Sequence, residues 1–277
     1  MNFHEINRNW KNMMRFTLLF LMTCSIFSAA QAGVIAGEQP LPVKAEVLAD
    51  VSAVTPGAPF EVGVLLKVDP HWHVYWKNPG DSGLPTSVVF TLPRGFTASE
   101  IKWPIPSVFE GAGGLTDYGF EDSLLLSTRV TPPADLKPGT AGLELEMPVS
   151  ENSERVNTDL FSEWSARLPV NYSGKTPPFE IDIKTVPKDE NNYSVVVLLG
   201  PKDSLSGIGL YPVPGNSFIV GDIVLGTDEG SGRSSAAFDV KVLPSQGQPQ
   251  KGLETLIVYT DKGGKRSGYE LEVPLSR

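Results

Sequence analysis

The stretch Phe60-Glu-Val-Gly-Val-Leu-Leu-Lys-Val68 decides the fold. Every second residue, starting from Phe60, is apolar, and a period of two places these side chains on one face of a β-strand. Pro56-Gly57 before the stretch and Asp69-Pro70 after it are turn sequences. The stretch therefore predicts a strand with one face in a hydrophobic core.

Further strand-length runs surround this one, and Pro- and Gly-containing turns separate them. They cover residues 43–51, 71–76, 87–92, 123–130 and 143–147. Many short strands without long helices between them predict an all-β protein, an immunoglobulin-like β-sandwich.

One amphipathic helix is predicted over residues 157–168. Leu160, Phe161, Trp164 and Leu168 share a face at helical spacing. Asn157 or Thr158 can cap the start of the helix, and Pro169 stops it. We expect the helix to link an immunoglobulin-like domain, residues 33–156, to a second, smaller β-rich domain, residues 177–277. The helix and a polar linker fill residues 157–176.

The second domain is predicted to contain four strands and a terminal pair. The strands span 180–186, 194–199, 217–224, 236–242, 253–260 and 268–273, and Asp261–Arg266 supplies a hairpin turn with Gly263-Gly264. The polar stretches 226–235 and 244–251 are predicted to be exposed loops.

Residues 1–32 have the pattern of a secretory signal peptide. Basic residues precede the apolar run 16–27, and Ala30-Gln-Ala32 fits a cleavage site. Translation starting at Met13 or Met14 would give a more compact signal. Leu21-Met-Thr-Cys24 loosely resembles a lipobox, but Thr23 stands where a small Gly or Ala is expected. We therefore predict an exported, periplasmic protein rather than one anchored at Cys24.

Composition excludes several classes of function. The chain of 277 residues has 23 basic and 32 acidic residues, a balance that argues against nucleic acid as a partner. No run after the leader is long enough to be a transmembrane helix. Cys24 is the one cysteine, and cleavage of the signal would remove it. The mature chain is then left without a disulfide, a redox pair or a thiolate metal site.

The most unusual stretch is His71-Trp-His-Val-Tyr-Trp-Lys-Asn-Pro-Gly-Asp-Ser-Gly-Leu-Pro-Thr86. As a strand, it would project His71, His73 and Tyr75 to one face and Trp72, Val74 and Trp76 to the core. Four interpretations stay open: a copper or zinc site at His71 and His73, a hydrogen-bonded strand face, an aromatic recognition surface, and catalysis.

A second candidate region runs from Trp103 to Glu121. Its glycines, Gly113-Gly114 among them, fit either a mobile flap near Tyr75 and Tyr118 or a long connection packed by Trp103 and Phe109. Templates for catalysis are missing: there is no GxSxG elbow, no P-loop and no cysteine nucleophile. We predict no catalytic residue and no cofactor.

These residues also resemble a known family. The run His73-Val-Tyr-Trp-Lys-Asn-Pro-Gly-Asp-Ser-Gly-Leu-Pro85, then Trp103-Pro-Ile-Pro and Tyr118-Gly-Phe-Glu, is similar to the periplasmic N-terminal region of DsbD/ScsB-type thiol:disulfide interchange proteins. The likeness continues through Thr131–Gly139 and the predicted helix. It implies an immunoglobulin-like domain that passes electrons through a cysteine pair.

The resemblance breaks where that pair belongs. The pair should lie between Leu143 and the helix, and this interval contains no cysteine and is short. Thiol exchange needs a thiolate to attack a disulfide sulfur. We therefore predict a non-enzymatic binding or accessory protein of a thiol-redox or copper-tolerance system. Two alternatives stay open: disulfide reduction, as the family implies, and periplasmic copper binding through His71 and His73.

The predicted partner is a periplasmic or membrane thiol-redox protein, with a copper ion as a second candidate ligand. The residues predicted to contact the partner lie in the two candidate regions: His73, Tyr75, Trp76, Asn78, Asp81 and Tyr118.

Overall fold

A computed structural model describes residues 41–137, 140–142, 146–171, 177, 179–201, 206–243 and 252–275. Within these ranges the chain consists of β-strands, one α-helix and one short 3-10 turn. The all-β, immunoglobulin-like prediction is confirmed. No helix among the described residues has the length and apolar character needed to cross a membrane.

The first half builds two sheets and a small hairpin. Its strands are β1 (Val43–Ala49), β2 (Phe60–Val68), β3 (Val74–Gly80), β4 (Thr97–Ala98), β5 (Ser107–Glu110), β6 (Thr116–Phe120), β7 (Ser123–Thr131), β8 (Thr140–Gly142) and β9 (Glu146–Pro148). One sheet has the order β1-β2-β7-β4, the other β3-β6-β5, and β8 pairs with β9.

The strand that decided the fold lies in the middle of the first sheet. β2 has the predicted bounds and pairs antiparallel with both β1 and β7. Phe60 lies opposite Val130, and Leu66 lies opposite Leu124. All four of these side chains are buried, so the register matches apolar residues across the pair.

The single helix, α1, spans Thr158–Ser165 and confirms the amphipathic prediction. Trp164 is buried, with Leu160 and Phe161 packed beside it against the core. The predicted cap differs, because the Asn157 side chain makes no capping bond. Its amide instead donates to the carbonyl of Ala49 at 2.9 Å, which ties the start of the helix to the end of β1.

The second half forms two more sheets. Its strands are β10 (Val170–Asn171), β11 (Ile181–Pro187), β12 (Asn192–Pro201), β13 (Ser206–Val213), β14 (Phe218–Val220), β15 (Val224–Thr227), β16 (Arg233–Val242), β17 (Gly252–Thr260) and β18 (Arg266–Pro274). One sheet has the order β10-β18-β17-β13, and the other has the order β11-β12-β16-β14, with β15 also on β16.

The sheet that contains β17 is covered on both faces. Leu253 and Ile257 belong to the core that it shares with β12 and β16. Leu256 and Val258, on the opposite face of β17, pack in a core with Leu124 of β7 and Trp76 of β3. Residues 42–277 form one compact unit. The predicted division into two domains at residues 156 and 177 stays a prediction. The core that contains Trp76, Leu124, Leu256 and Val258, which we call the shared core, includes residues from both sides of that division.

Three strand predictions and one loop prediction differ from the structure. Residues 87–92 do not form a hydrogen-bonded strand, and the run 71–76 is displaced to β3. The run 217–224 divides into β14 and β15, and the stretch 226–235, predicted to be a loop, contributes residues to β15 and β16. The stretch 244–251 and part of 143–147 lie outside the described residues.

Candidate functional site

Three rings, His73, Tyr75 and Phe109, form a cluster that we call the aromatic patch. The His73 ring stacks on Phe109 with centroids 4.6 Å apart and meets the edge of Tyr75 at 4.9 Å. The His73 Nε2 atom is buried and has no hydrogen-bond partner among the described residues. Phe109 reaches this position because β5 pairs with β6, which itself pairs with β3.

A tight loop after β3 supports the patch from one side. Gly83 has a φ of 75°, and a Cβ built on it would lie 2.2 Å from the Tyr75 ring. Only glycine combines this backbone conformation with so close an approach. The neighbouring Ser82 is fixed by Asp117, whose carboxylate accepts the Ser82 N–H at 2.9 Å and the hydroxyl at 2.7 Å.

Asp81 fixes this loop as well. Its Oδ2 accepts the Thr116 N–H at 2.8 Å, and its own N–H donates to the Thr116 carbonyl at 2.9 Å. The two bonds join the loop after β3 to the start of β6. Asp81 remains exposed, so its charge is available at the surface.

Exposed apolar side chains stand on the segments that carry the patch. Trp72 is 57% exposed, next to His73, and Leu84 is 82% exposed, next to Gly83. Leu115 is 44% exposed at the start of β6. Exposed apolar side chains that together form a patch are typical of a protein interaction surface.

The predicted faces of residues 71–76 are wrong in two respects. Trp72 was placed in the core and is exposed, because the strand begins at Val74. His71 was placed beside His73, yet it lies in the preceding turn with a φ of 69°. Among the described residues, no group of three or more His, Cys, Asp or Glu side chains could hold a metal ion.

Trp76 and Tyr118, two of the predicted contact residues, belong to the shared core. Trp76 is 1% exposed and its ring meets Tyr118 edge-on at 6.5 Å. Tyr118 packs edge-on against Tyr211 of β13 at 4.8 Å. Burial raises the pKa of Tyr118 to about 12, with smaller contributions from Tyr211 and Asp81, so its hydroxyl stays neutral at physiological pH.

Asn78, another predicted contact residue, joins the two halves of the chain. Its amide donates to the carbonyl of Pro212 in β13 at 2.6 Å, and its Oδ1 accepts the N–H of Gly80 at 3.1 Å. The adjacent Lys77 forms ion pairs with β17 and β18 and was missed in the sequence. Its position directly after a tryptophan predicted to be in the core could have indicated the ion pairs, since a partly buried lysine needs anionic partners.

The described part of the interval expected to hold a cysteine pair is attached to residues 50–55. Arg155 pairs with the buried Asp50, and the Ser153 hydroxyl donates to the Ala53 carbonyl at 2.6 Å. The N–H of Ser150 donates to Val54 O at 3.0 Å. Where the family resemblance implies cysteines, this segment has Ser150 and Ser153, and hydrogen bonds fix it to residues 53 and 54.

The second candidate region forms the β5–β6 hairpin. A 3-10 turn at Ala112–Gly114 joins the strands, and Gly113 and Gly114 both have positive φ. The hairpin carries Phe109 to the aromatic patch, so the connection is part of the site. Movement of this hairpin as a flap stays a prediction.

Comparison with known proteins agrees with this architecture. Residues 38–150 match the family described as thiol:disulfide interchange protein DsbD, N-terminal. A similar solved structure is the N-terminal periplasmic domain of ScsB from Proteus mirabilis. The TM-score is 0.53 at 15% identity, over 86% of this chain and 96% of the other. At this identity the similarity supports the fold alone. No curated protein matches the chain.

Proposed function

We propose that this protein is a non-enzymatic periplasmic accessory module of a thiol-redox system, and that it binds a thiol-redox partner through the aromatic patch. The DsbD/ScsB-type domain supports the kind of system. The absence of electron transfer and the binding surface are argued from two features of this chain, its cysteine content and the aromatic patch.

One observation carries the non-enzymatic part of the proposal. Cys24, within the predicted signal peptide, is the only cysteine of the chain. Disulfide exchange proceeds through attack of a thiolate on a disulfide sulfur, and serine hydroxyls such as those of Ser150 and Ser153 cannot replace it. A DsbD-type fold without the reacting atoms keeps a shape that partners recognise and loses the electron transfer.

The aromatic patch is the surface that best supports partner binding. His73, Tyr75 and Phe109 are only partly buried. Exposed Trp72 precedes His73, and exposed Leu84 follows Gly83 in the loop that contacts Tyr75. Aromatic side chains held rigidly by their surroundings are enriched in protein interfaces, since little entropy is lost when they are covered. Gly83 beneath Tyr75 supplies that rigidity.

The periplasmic location rests on the signal-peptide pattern of residues 1–32 and on the likeness to a domain whose description calls it periplasmic. An oxidising compartment is where disulfide chemistry operates. The same proteins that reduce or isomerise disulfides there are the candidate partners.

A photo-crosslinking experiment tests the partner. A photoreactive phenylalanine analogue replaces Tyr75 in one variant and Ile219 on β14 in the control, and crosslinked proteins are recovered from living cells. We expect the Tyr75 position, and not the Ile219 position, to capture a protein with a Cys-x-x-Cys motif. Equal capture at both positions, or capture of proteins without thiol-redox motifs, would contradict the proposal.

An insulin-reduction assay separates the proposal from the family activity. The purified protein should not accelerate reduction of insulin disulfides by dithiothreitol above the buffer rate. Acceleration by a Cys24→Ser variant would establish cysteine-independent catalysis and overturn the non-enzymatic assignment.

A further inference from the structure

Residues 83–92, which connect the end of β3 toward β4, form what we call the unpaired segment. No backbone N–H or C=O in it makes a hydrogen bond within the described part of the chain. Backbone groups in folded proteins nearly always bond to protein or water. The segment therefore carries a continuous row of backbone groups without a partner among the described residues, as the open edge of a sheet does.

The side chains of this segment nevertheless alternate as they do in a strand. Val88, Phe90 and Leu92 are partly buried: Val88 packs on the core that both halves share, and the other two pack on a core of the first half. The residues between them, Ser87, Val89 and Thr91, point outward, and Val89 is 84% exposed. A period of two in burial indicates extended backbone fixed on one face.

An extended segment with unsatisfied backbone groups is a template for pairing with another chain. Proteins usually protect such edges with charged residues or proline. Pro85 and Pro93 border this stretch, but Thr86–Leu92 contains neither proline nor a charged residue. It therefore has the backbone donors and acceptors that a new strand needs, and an uncharged outer face of Ser87, Val89 and Thr91.

We propose that the occupant is a second copy of this chain, and that two unpaired segments pair antiparallel about a two-fold axis. Asp81 precedes the uncharged stretch and Arg94 follows it, and both are exposed. Antiparallel pairing sets Asp81 of each copy close to Arg94 of the other, twice by symmetry. Parallel pairing would bring like charges together.

This charge complementarity favours a second copy over an unrelated strand. Arg94 forms no ion pair with any described residue. Asp81 uses one carboxylate oxygen for Thr116. The other oxygen is left for a partner. A dimer formed in this way joins the two unpaired segments in a two-stranded ladder and leaves the β5 edge uncovered.

Cysteine crosslinking tests the pairing directly. In a Cys24→Ser background, Ser87→Cys places one thiol beside the expected two-fold axis, and Ser107→Cys on edge strand β5 is the matched control. We expect a short bismaleimide to give a covalent dimer with Ser87→Cys at least about tenfold faster than with Ser107→Cys. Equal rates, or a faster reaction at Ser107, would overturn the proposal.

Sedimentation equilibrium gives an independent measurement. The full chain should show a monomer–dimer equilibrium, and Val89→Lys should weaken it at least about tenfold, because two lysines then meet near the axis. Ile219→Lys, at a position on β14 that is 53% exposed, should leave the equilibrium unchanged. A wild-type protein that stays monomeric, or a Val89→Lys variant that dimerises like the wild type, refutes the pairing. Neither result bears on partner binding at Tyr75.

Discussion

Lys77 on β3 places its Nζ 3.4 Å from Oε1 of Glu270 on β18. The same ammonium group pairs with Glu254 on β17 and lies 5.4 Å from the centre of the Trp76 ring. One lysine of the first half thus bridges two carboxylates of the second half, beside the core that both halves share.

Replacing Lys77 by Met should destabilise the protein, because Glu254 and Glu270 would then face each other without a cation. We expect the free energy of unfolding to fall by about 1 kcal/mol at neutral pH, since the three groups are only partly buried. Urea unfolding measures it. Lys67→Met, which breaks the exposed pair with Glu46, is the control and should change stability less.

The same variant should change how stability depends on pH. Burial raises the pKa of Glu270, Lys77 opposes this rise, and Glu254 adds to it. A carboxyl whose pKa is raised in the folded state favours folding at low pH, and that contribution is lost as pH rises through the folded pKa. Removing Lys77 should deepen this loss. Unfolding free energies measured between about pH 4 and 8 would then diverge from wild type as pH rises. Parallel curves would contradict this account of the cluster.

The two tryptophans of the unusual stretch should respond oppositely to truncation. Trp76→Ala removes a fully buried ring from the shared core and should cost about 3–5 kcal/mol of unfolding free energy. Trp72→Ala removes an exposed ring and should cost less than about 0.5 kcal/mol. Thermal and urea unfolding of both variants decide the matter. A large loss in Trp72→Ala would mean that the strand begins earlier than Val74.

Gly83 and Gly113 offer a matched pair for the loop beneath the aromatic patch. Both have positive φ, but a Cβ at Gly113 meets nothing within 4 Å, whereas at Gly83 it overlaps the Tyr75 ring. Gly113→Ala should cost about 1 kcal/mol from backbone strain alone. Gly83→Ala should cost at least about 2 kcal/mol and displace Tyr75. Equal losses in the unfolding curves would show that Tyr75 is not held by this contact.

Copper binding through His71 and His73 can be tested by calorimetry. One imidazole lies in a turn, and the other is stacked between rings with its Nε2 buried. Two such groups do not converge as ligands of one ion. We expect Cu²⁺ titrations of the wild type and of the His71→Ala/His73→Ala variant to give the same heats. Affinity lost only in the variant would restore the copper hypothesis.

Periodicity predicted the strands whose two faces differ. In residues 60–68 every second residue is apolar, and the strand has the predicted bounds, because a slip of one residue would expose Phe60 and Val62. Burial is broader than the pattern predicts, since Leu65 on the other face is buried as well. Residues 87–92 alternate as well, yet they lack a neighbouring strand. The alternation of apolar residues indicates which face of a segment packs on the core. Whether the segment also forms a hydrogen-bonded strand depends on whether the fold places another strand beside it.

The candidate site was predicted in part for the same reason. His73 and Tyr75 alternate on one face of the chain, so their proximity followed from the sequence. Phe109 lies beside them because β5 pairs with β6 and β6 pairs with β3. The sequence around Phe109 does not predict that pairing. The buried roles of Trp76 and Tyr118 depend on Tyr211 in the other half. Contacts of this range cannot be derived from spacing along the chain.

The position of β17 between two hydrophobic cores limits where the protein can be truncated. With Ile257 on one face and Leu256 on the other, β17 is an inner layer, and the match that ends at residue 150 stops short of it. A fragment cut there would expose Trp76 and Phe120 to solvent, and we expect it to aggregate. The part of the sequence that matches the family is thus shorter than the part that must be kept together for the protein to fold.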